Sequence, residues 1–180
     1  NNDCELVKTL NSIDKQKLFP REVIIKDGIK RQTPEFLNKF RLQIRYLSGN
    51  DKGIYDAMNQ GISETKTNFL LFLNSGDILE ENSLSFFLEE LIEFQYSYGK
   101  LPEIIFFKWS YFNNKKIFSP SLSRLNFNHQ AVIYKLSLHN QFGNYIALSS
   151  FSAADYLFFR YITLYEKLDI ITSDKILSSV

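Results

Sequence analysis

The chain has 180 residues, 44% hydrophobic and 16% aromatic, which marks it as globular and long enough for one domain with a substantial core. Its net charge is +1, with acids and bases interspersed, so electrostatics make no case for nucleic acid or for an acidic partner. The single cysteine, Cys4, excludes a disulfide framework or zinc cluster within the chain; no apolar run nears the ~20 residues of a membrane helix, and the opening Asn1-Asn2-Asp3 lacks the regions of a signal peptide.

Asn2 or Asp3 suits a helix cap, and Leu6, Leu10 and Ile13 recur at helical spacing, so residues 4–17 read as an amphipathic helix. Residues 22–26 form a short strand that ends in Asp27-Gly28, a carboxylate at a strand tip. Residues 34–40 read as a short helix, 43–47 as a strand, 48–52 as a polar loop and 53–63 as a helix with Met58 and Ile62 on one face. Residues 69–73, FLLFL, are an unbroken apolar run, which reads as a strand buried on both faces. Ile78 and Leu79 lead to a cap at Glu81 or Asn82 and a helix over 84–96. Strands follow over 103–108, 117–118 and 130–134, then a helix over 152–165 and a short strand over 168–171. The alternation of strand and helix in the first half predicts a mostly parallel α/β sheet, with 69–73 at its centre and 22–26 beside it.

The end of that apolar run carries the chemistry. Asn74, Ser75, Gly76 and Asp77 follow at once, and ligands of open α/β sheets bind outside the carboxyl ends of the strands. Asp77 therefore stands where a site is expected, although Ser, Gly and Asp are also ordinary turn residues. Asp27-Gly28 reads equally as a turn after a strand. Asp56 and Asn59, three apart, share one helix face, which solvent or the preceding loop could equally claim. Asp155 starts a helix, where acids are common, and His129 precedes a strand, where a lone histidine is usually structural. His139 has no support for a role.

SGNDKGIYDAMNQGI at 48–62, FLLFLNSGD at 69–77, NHQAVIY at 128–134 and AADY at 153–156 resemble, in this order, the family 2 nucleotide-sugar glycosyltransferases. The group they resemble is that of bacterial polysaccharide gene clusters, related to colanic acid transferases. DKGIYDAMNQGI is long and specific, whereas NSGD and AADY alone would carry little. The resemblance implies a GT-A, Rossmann-like three-layer α/β/α fold with a mostly parallel mixed sheet. It implies one domain over 1–180, with a nucleotide-binding half at 1–77 and an acceptor half at 78–180. It also implies a metal-dependent, inverting hexosyl transfer from a UDP- or GDP-linked sugar to a saccharide or polyprenyl-linked acceptor. The setting is bacterial surface polysaccharide synthesis in the cytoplasm, compatible with peripheral membrane association and a homo-oligomer.

Residue by residue, the resemblance assigns Asp27 to the nucleotide, with Lys52, Asp56, Asn59 and Ser75 along the nucleotide cleft. Lys52 would meet a phosphate as a point charge. Asp77 matches the last acid of the family's metal motif, whose earlier acid is Asn74 here, and would hold Mg²⁺ or Mn²⁺. Asp155 matches the general base, and His129 and Gln130 a wall of the substrate site. The three carboxylates Asp27, Asp77 and Asp155 are expected in one cleft. The chain departs from the family pattern at residues 29–32, where only Asp27, Gly28 and Thr33 are kept. It also lacks the apolar strand that precedes Asn1-Asn2 in the family and stops short of the usual final segment, so a gap in the sheet, or one filled by another chain, is expected. A truncated, non-catalytic interaction domain is the competing reading. A nucleotidyltransferase is disfavoured because no Gly-rich basic phosphate loop is present.

Overall fold

Helical spacing of apolar residues at the start of the chain forms α1 (Asn2–Asp14), which buries Leu10 and Ile13. The computed structural model describes residues 2–112, 116–121, 123–124, 126–148, 152–165 and 167–180. The chain divides into two compact units built from interleaved segments: Asn1–Phe19, Phe69–Lys135 and Lys167–Val180 in the first, Pro20–Asn68 and Leu136–Glu166 in the second.

The first unit holds α1, β3 (Phe69–Leu70), β4 (Ile78–Leu79), α3 (Ser83–Tyr98), β5 (Ile104–Ser110), β6 (Ile117–Phe118), β7 (Val132–Lys135) and β8 (Ile170–Ser179). Its sheet runs β3-β7-β5-β8-β4, and β6 pairs with β5. β5 is the central strand: Ile104, Ile105 and Phe106 are wholly buried, and it pairs antiparallel with β7 and parallel with β8. Both β5 and the 69–73 run are continuous apolar stretches, and periodicity cannot rank them. Partners on both edges decide the centre. β3 keeps strand geometry over Phe69 and Leu70 alone, pairs with β7, and lies at the end of the strand order. The expectation that 69–73 is central, with 22–26 alongside, is therefore corrected; β1 pairs with β2 instead.

The second unit holds β1 (Val23–Asp27), a 3₁₀ turn at Glu35–Lys39, β2 (Ile44–Ser48), α2 (Ile54–Glu64), α4 (Ser137–Phe142) and α5 (Ala154–Tyr165). β1 and β2 are parallel, from Val23 opposite Ile44 to Asp27 opposite Ser48. α2 packs on β1 with Tyr55, Met58 and Ile62 buried. α4 was not expected from the sequence, being too short to show a period.

The described strands form two separate sheets, β1-β2 in the second unit and the six-stranded sheet in the first. The α/β class stands. Within it, among the described residues, β1–β2 and β5–β8 pair in parallel and the other pairs are antiparallel, because much of the second half connects strands without a crossover helix. β8 is also far longer than the strand expected over 168–171, its alternation masked by Ser173, Asp174 and Lys175. Among the described residues, no helix is long and apolar enough to cross a membrane.

Candidate active site

In the first unit, the turn after β3 hangs from α1. Thr9, Ser12 and Gln16 repeat at three- and four-residue spacing on one face of the helix and its end, and all three are buried. The Gly76 amide donates to Thr9 Oγ1 (2.9 Å), and the Leu79 amide to Ser12 Oγ (3.0 Å). Gln16 Nε2 donates to the Glu80 carbonyl (2.9 Å), and its Oε1 accepts from the Leu84 amide (3.3 Å). Gln16 thereby caps α3, whose Asn82 adopts φ 64° and makes no side-chain cap. These side chains take the place of ladder bonds for a segment that has left the sheet.

Asp77 sits inside this turn. Its amide donates to the Asn74 carbonyl (3.1 Å), and the Asn74 amide donates back to Asp77 Oδ2 (2.7 Å). Gly76 has φ 109°, a region that favours glycine. The Asp77 side chain is buried. Burial pushes its carboxyl above the usual range, against the opposing pull of the Asn74 amide, the Gln130 side chain and the charge of His129. Asp77 and the consecutive pair His129 and Gln130, distant from it in sequence, are therefore brought together in this unit. Gln130 is buried, and its Oε1 has no hydrogen-bond partner among the described residues. The Gln130 side chain donates to the Asp77 carboxylate, and these two side chains carry oxygen atoms of the kind that suits a hard divalent cation. Among the described residues, no group of three or more His, Cys, Asp or Glu could hold a metal alone. Ser75 is exposed on the same turn.

In the second unit, Asp27 ends β1 with its carboxylate fully engaged. It accepts from the Ile29 amide (2.9 Å), Arg31 Nε (2.6 Å) and the Tyr46 hydroxyl (2.6 Å). Burial works against ionisation, but these three donors outweigh it and hold the carboxyl below its usual range. Beside it, the buried Lys26 ammonium donates to the carbonyls of Gly49 (2.5 Å) and Asp27 (2.9 Å) and to Asp51 Oδ2 (3.1 Å). It staples the tips of β1 and β2 to the loop before α2. At Gly28 a Cβ would stand 2.8 Å from Asp51 Oδ2, so a larger residue there requires that carboxylate to shift. Sequence reading missed Lys26, Arg31 and Tyr46; the period-two alternation that places Tyr46 beside Asp27 could have been used only with the parallel register in hand.

Asp56 and Asn59 do not act as a pair. Asp56 Oδ2 accepts from the Lys52 amide (2.8 Å) and from Gln60 Nε2 (3.1 Å), closing the loop onto α2. The Lys52 side chain is exposed. Asn59 Nδ2 donates to the Tyr145 carbonyl (2.9 Å), and the Tyr145 amide donates to Asn59 Oδ1 (3.0 Å). Asp155, in the first turn of α5, accepts from the Tyr55 hydroxyl through Oδ1 (2.6 Å). Burial, and then this carboxylate, push the Tyr55 phenol well above its usual range. His139 is structural: buried, stacked on Phe158 with centroids 4.5 Å apart, and donating from Nδ1 to the Gly143 carbonyl (3.0 Å). Tyr55 went unremarked in the sequence, although it stands four residues before Asn59 and so shares its face of α2.

The profile of the family described as glycosyl transferase family 2 matches residues 1–157. The chain belongs to glycosyl transferase family 2. No curated protein matches its sequence. Among solved structures, S. aureus TarS 1-349 in complex with UDP superposes with a TM-score of 0.77 at 22% identity, covering 100% of this chain and 57% of that one. TarS 1-349 in complex with UDP-GlcNAc gives 0.72 at 21%, over 99% and 55%. The mannosyltransferase PcManGT from Pyrobaculum calidifontis, in complex with GDP-Man and Mn²⁺, gives 0.68 at 12%, over 98% and 53%. The expected GT-A fold is thereby established for this family 2 chain, which spans less than two thirds of these relatives.

Proposed function

We propose that the chain transfers a sugar, with inversion, from a UDP- or GDP-linked donor to a saccharide or lipid-linked acceptor. The observation that carries the proposal is Asp77: a buried carboxylate, destabilised by burial, hydrogen-bonded by the Gln130 side chain and on the turn that α1 fixes. Proteins rarely bury an acid at such a cost without a cation or a proton to meet it. Asp77 and Gln130 would hold Mg²⁺ or Mn²⁺, with phosphates and water filling the remaining positions. When bound, the ion would neutralise charge on the departing diphosphate. Asp27, Lys52, Asp56, Asn59 and Ser75 serve the nucleotide in this reading, Asp27 by exchanging one of its present donors for the ligand. His129 stands with Gln130 at the substrate wall. Asp155 takes the proton of the acceptor hydroxyl as the new oxygen–carbon bond forms and the bond to phosphate breaks, and the nucleoside diphosphate leaves. Residues 1–77 contribute mainly nucleotide contacts and 78–180 mainly acceptor contacts. The setting proposed is the cytoplasm, at the membrane surface where a lipid-linked acceptor would be met.

The test is Asp77→Asn. With its pKa raised, the ionised carboxyl costs stability above that pKa, and the cost fades as pH falls through it towards 3.8. The variant should therefore melt higher than wild type at pH 7, with the gap closing on acidification. It should also lose the stabilisation that UDP or GDP with Mn²⁺ gives wild type, roughly 2.7 kcal/mol at 100 times the dissociation constant. If neither nucleotide with Mn²⁺ shifts the wild-type melting temperature, the non-catalytic reading replaces this one.

A further inference from the structure

We infer that Tyr55 is a positioning residue for Asp155, the lever through which α2 orients the proton-accepting carboxylate. The inference rests on the reading of Asp155 as the base of a sugar transfer.

The geometry has three parts. First, the Tyr55 hydroxyl lies 2.6 Å from Asp155 Oδ1 and 2.9 Å from the Ser152 carbonyl. A phenol has one proton to give, and the shorter contact is to the carboxylate, as expected of a charge-assisted bond. Second, the lever is stiff. Tyr55 is 6% exposed, and its ring meets that of Tyr145 with centroids 5.8 Å apart. Tyr145 is fixed in turn by both bonds from Asn59 and by contacts with His139 and Phe158. Third, Phe158 lies one turn after Asp155 on α5 and stacks on His139, so the start of α5 is held from behind as well.

An aspartate turns about two side-chain bonds. With Oδ1 held by a buried hydroxyl, the plane of the carboxylate and the direction of Oδ2 are set. One face of α2 thus clamps the loop through Asn59 and aims the carboxylate through Tyr55. The high acidity threshold of the phenol keeps it a neutral donor throughout the working range. The titratable and charged groups with described side chains on the surrounding elements are, besides Tyr55 and Asp155 themselves, Asp56 and Glu64 on α2, His139 on α4, Tyr145 after it, and Tyr156, Arg160 and Tyr161 on α5. Asp56 is turned to Lys52 and Gln60, and His139 to Gly143.

The experiment compares the intact wild type with Tyr55→Phe, Asp155→Asn and the double variant. UDP-GlcNAc and GDP-mannose serve as probes, and release of nucleoside diphosphate is followed between pH 5 and 9. Tyr55→Phe should lower kcat by ~10- to 100-fold, as a small misplacement of a catalytic group does. It should leave the donor KM within about twofold and move the acid limb of the profile to higher pH, because the anion loses a donor. The double variant should be no slower than Asp155→Asn. A Tyr55→Phe variant that melts lower but keeps wild-type kcat and profile would show a structural role and overturn the inference. If Asp155→Asn transfers normally, the base reading falls and takes Tyr55 with it. If Asp155→Asn is dead while Tyr55→Phe is normal, only the Tyr55 inference falls. Should wild type turn over neither donor, carbon NMR titration of the Asp155 carboxyl decides: a midpoint raised by Tyr55→Phe supports the lever, and an unchanged one refutes it.

Discussion

Replacing Thr9 with valine keeps the shape of the side chain and deletes one hydroxyl. That hydroxyl accepts from the Gly76 amide at 2.9 Å and lies 3.3 Å from the Asn74 carbonyl, so it ties both ends of the turn that carries Asp77 to α1. Thr9 is 5% exposed, which leaves little room for water to replace it. An amide left unpaired in such a place costs ~1–3 kcal/mol. In a domain of this size each kcal/mol moves the melting temperature by ~2–4 °C, so a midrange cost of ~2 kcal/mol predicts a fall of about 4–8 °C. The assay is thermal melting of wild type, Thr9→Val and Thr9→Ser, each with and without UDP and Mn²⁺. Thr9→Ser keeps the hydroxyl and should retain most of the stability; Thr9→Val should lose it, together with part of the ligand-induced shift. A valine variant that melts within 1 °C of wild type would refute the view that α1 holds the turn. Equal losses in both variants would show that the methyl group, not the hydroxyl, does the holding.

Two further outcomes follow from the second unit. Asp27 has a folded-state pKa below 3.8, so its stabilising contribution is complete above that value and is lost as pH falls through the folded pKa; Asp27→Asn should therefore melt below wild type at pH 7, with the difference shrinking below pH ~4 in paired melts. Gly28→Ala places a carbon 2.8 Å from Asp51 Oδ2 and must displace it from Lys26; a loss of ~1–3 kcal/mol by denaturant titration is expected, and an unchanged midpoint would mean that Asp51 moves freely.

What could be read from the sequence, and what could not, follows from the range of the interactions. α1, α2, α3 and α5 announce themselves because helical period is local, and β1 and β2 because their apolar runs are bounded by turn residues. The centre of the larger sheet was misplaced because 69–73 and 104–107 look alike until their partners are known. The family motif led to Asp77 and Asp155. It gave no sign of Thr9, and although Tyr55 lies inside the motif at 48–62 its role did not show, because their partners lie 67 and 100 residues away. The buried polar face of α1 was hidden for a related reason. Amphipathic reasoning assigns the inward face to Leu6, Leu10 and Ile13 and treats Thr9, Ser12 and Gln16 as solvent-facing, yet a neighbouring backbone without ladder partners makes a buried hydroxyl or amide favourable there.

The interleaving of segments limits how this protein can be taken apart. Each unit contains, as an excursion, a length of chain that belongs to the other. A single scission therefore cannot release either unit whole. A fragment ending near Asn68 would keep α2 but leave Tyr55 and Asn59 without the partners that 136–166 supply. A fragment ending near Lys135 would keep β5 and strip it of β8. Protease-resistant pieces are not expected to correspond to the units, and loss of one should accompany loss of the other in limited proteolysis. Grafting or swapping within this fold has to exchange the segments of a unit together, 20–68 with 136–166, or 1–19 with 69–135 and 167–180.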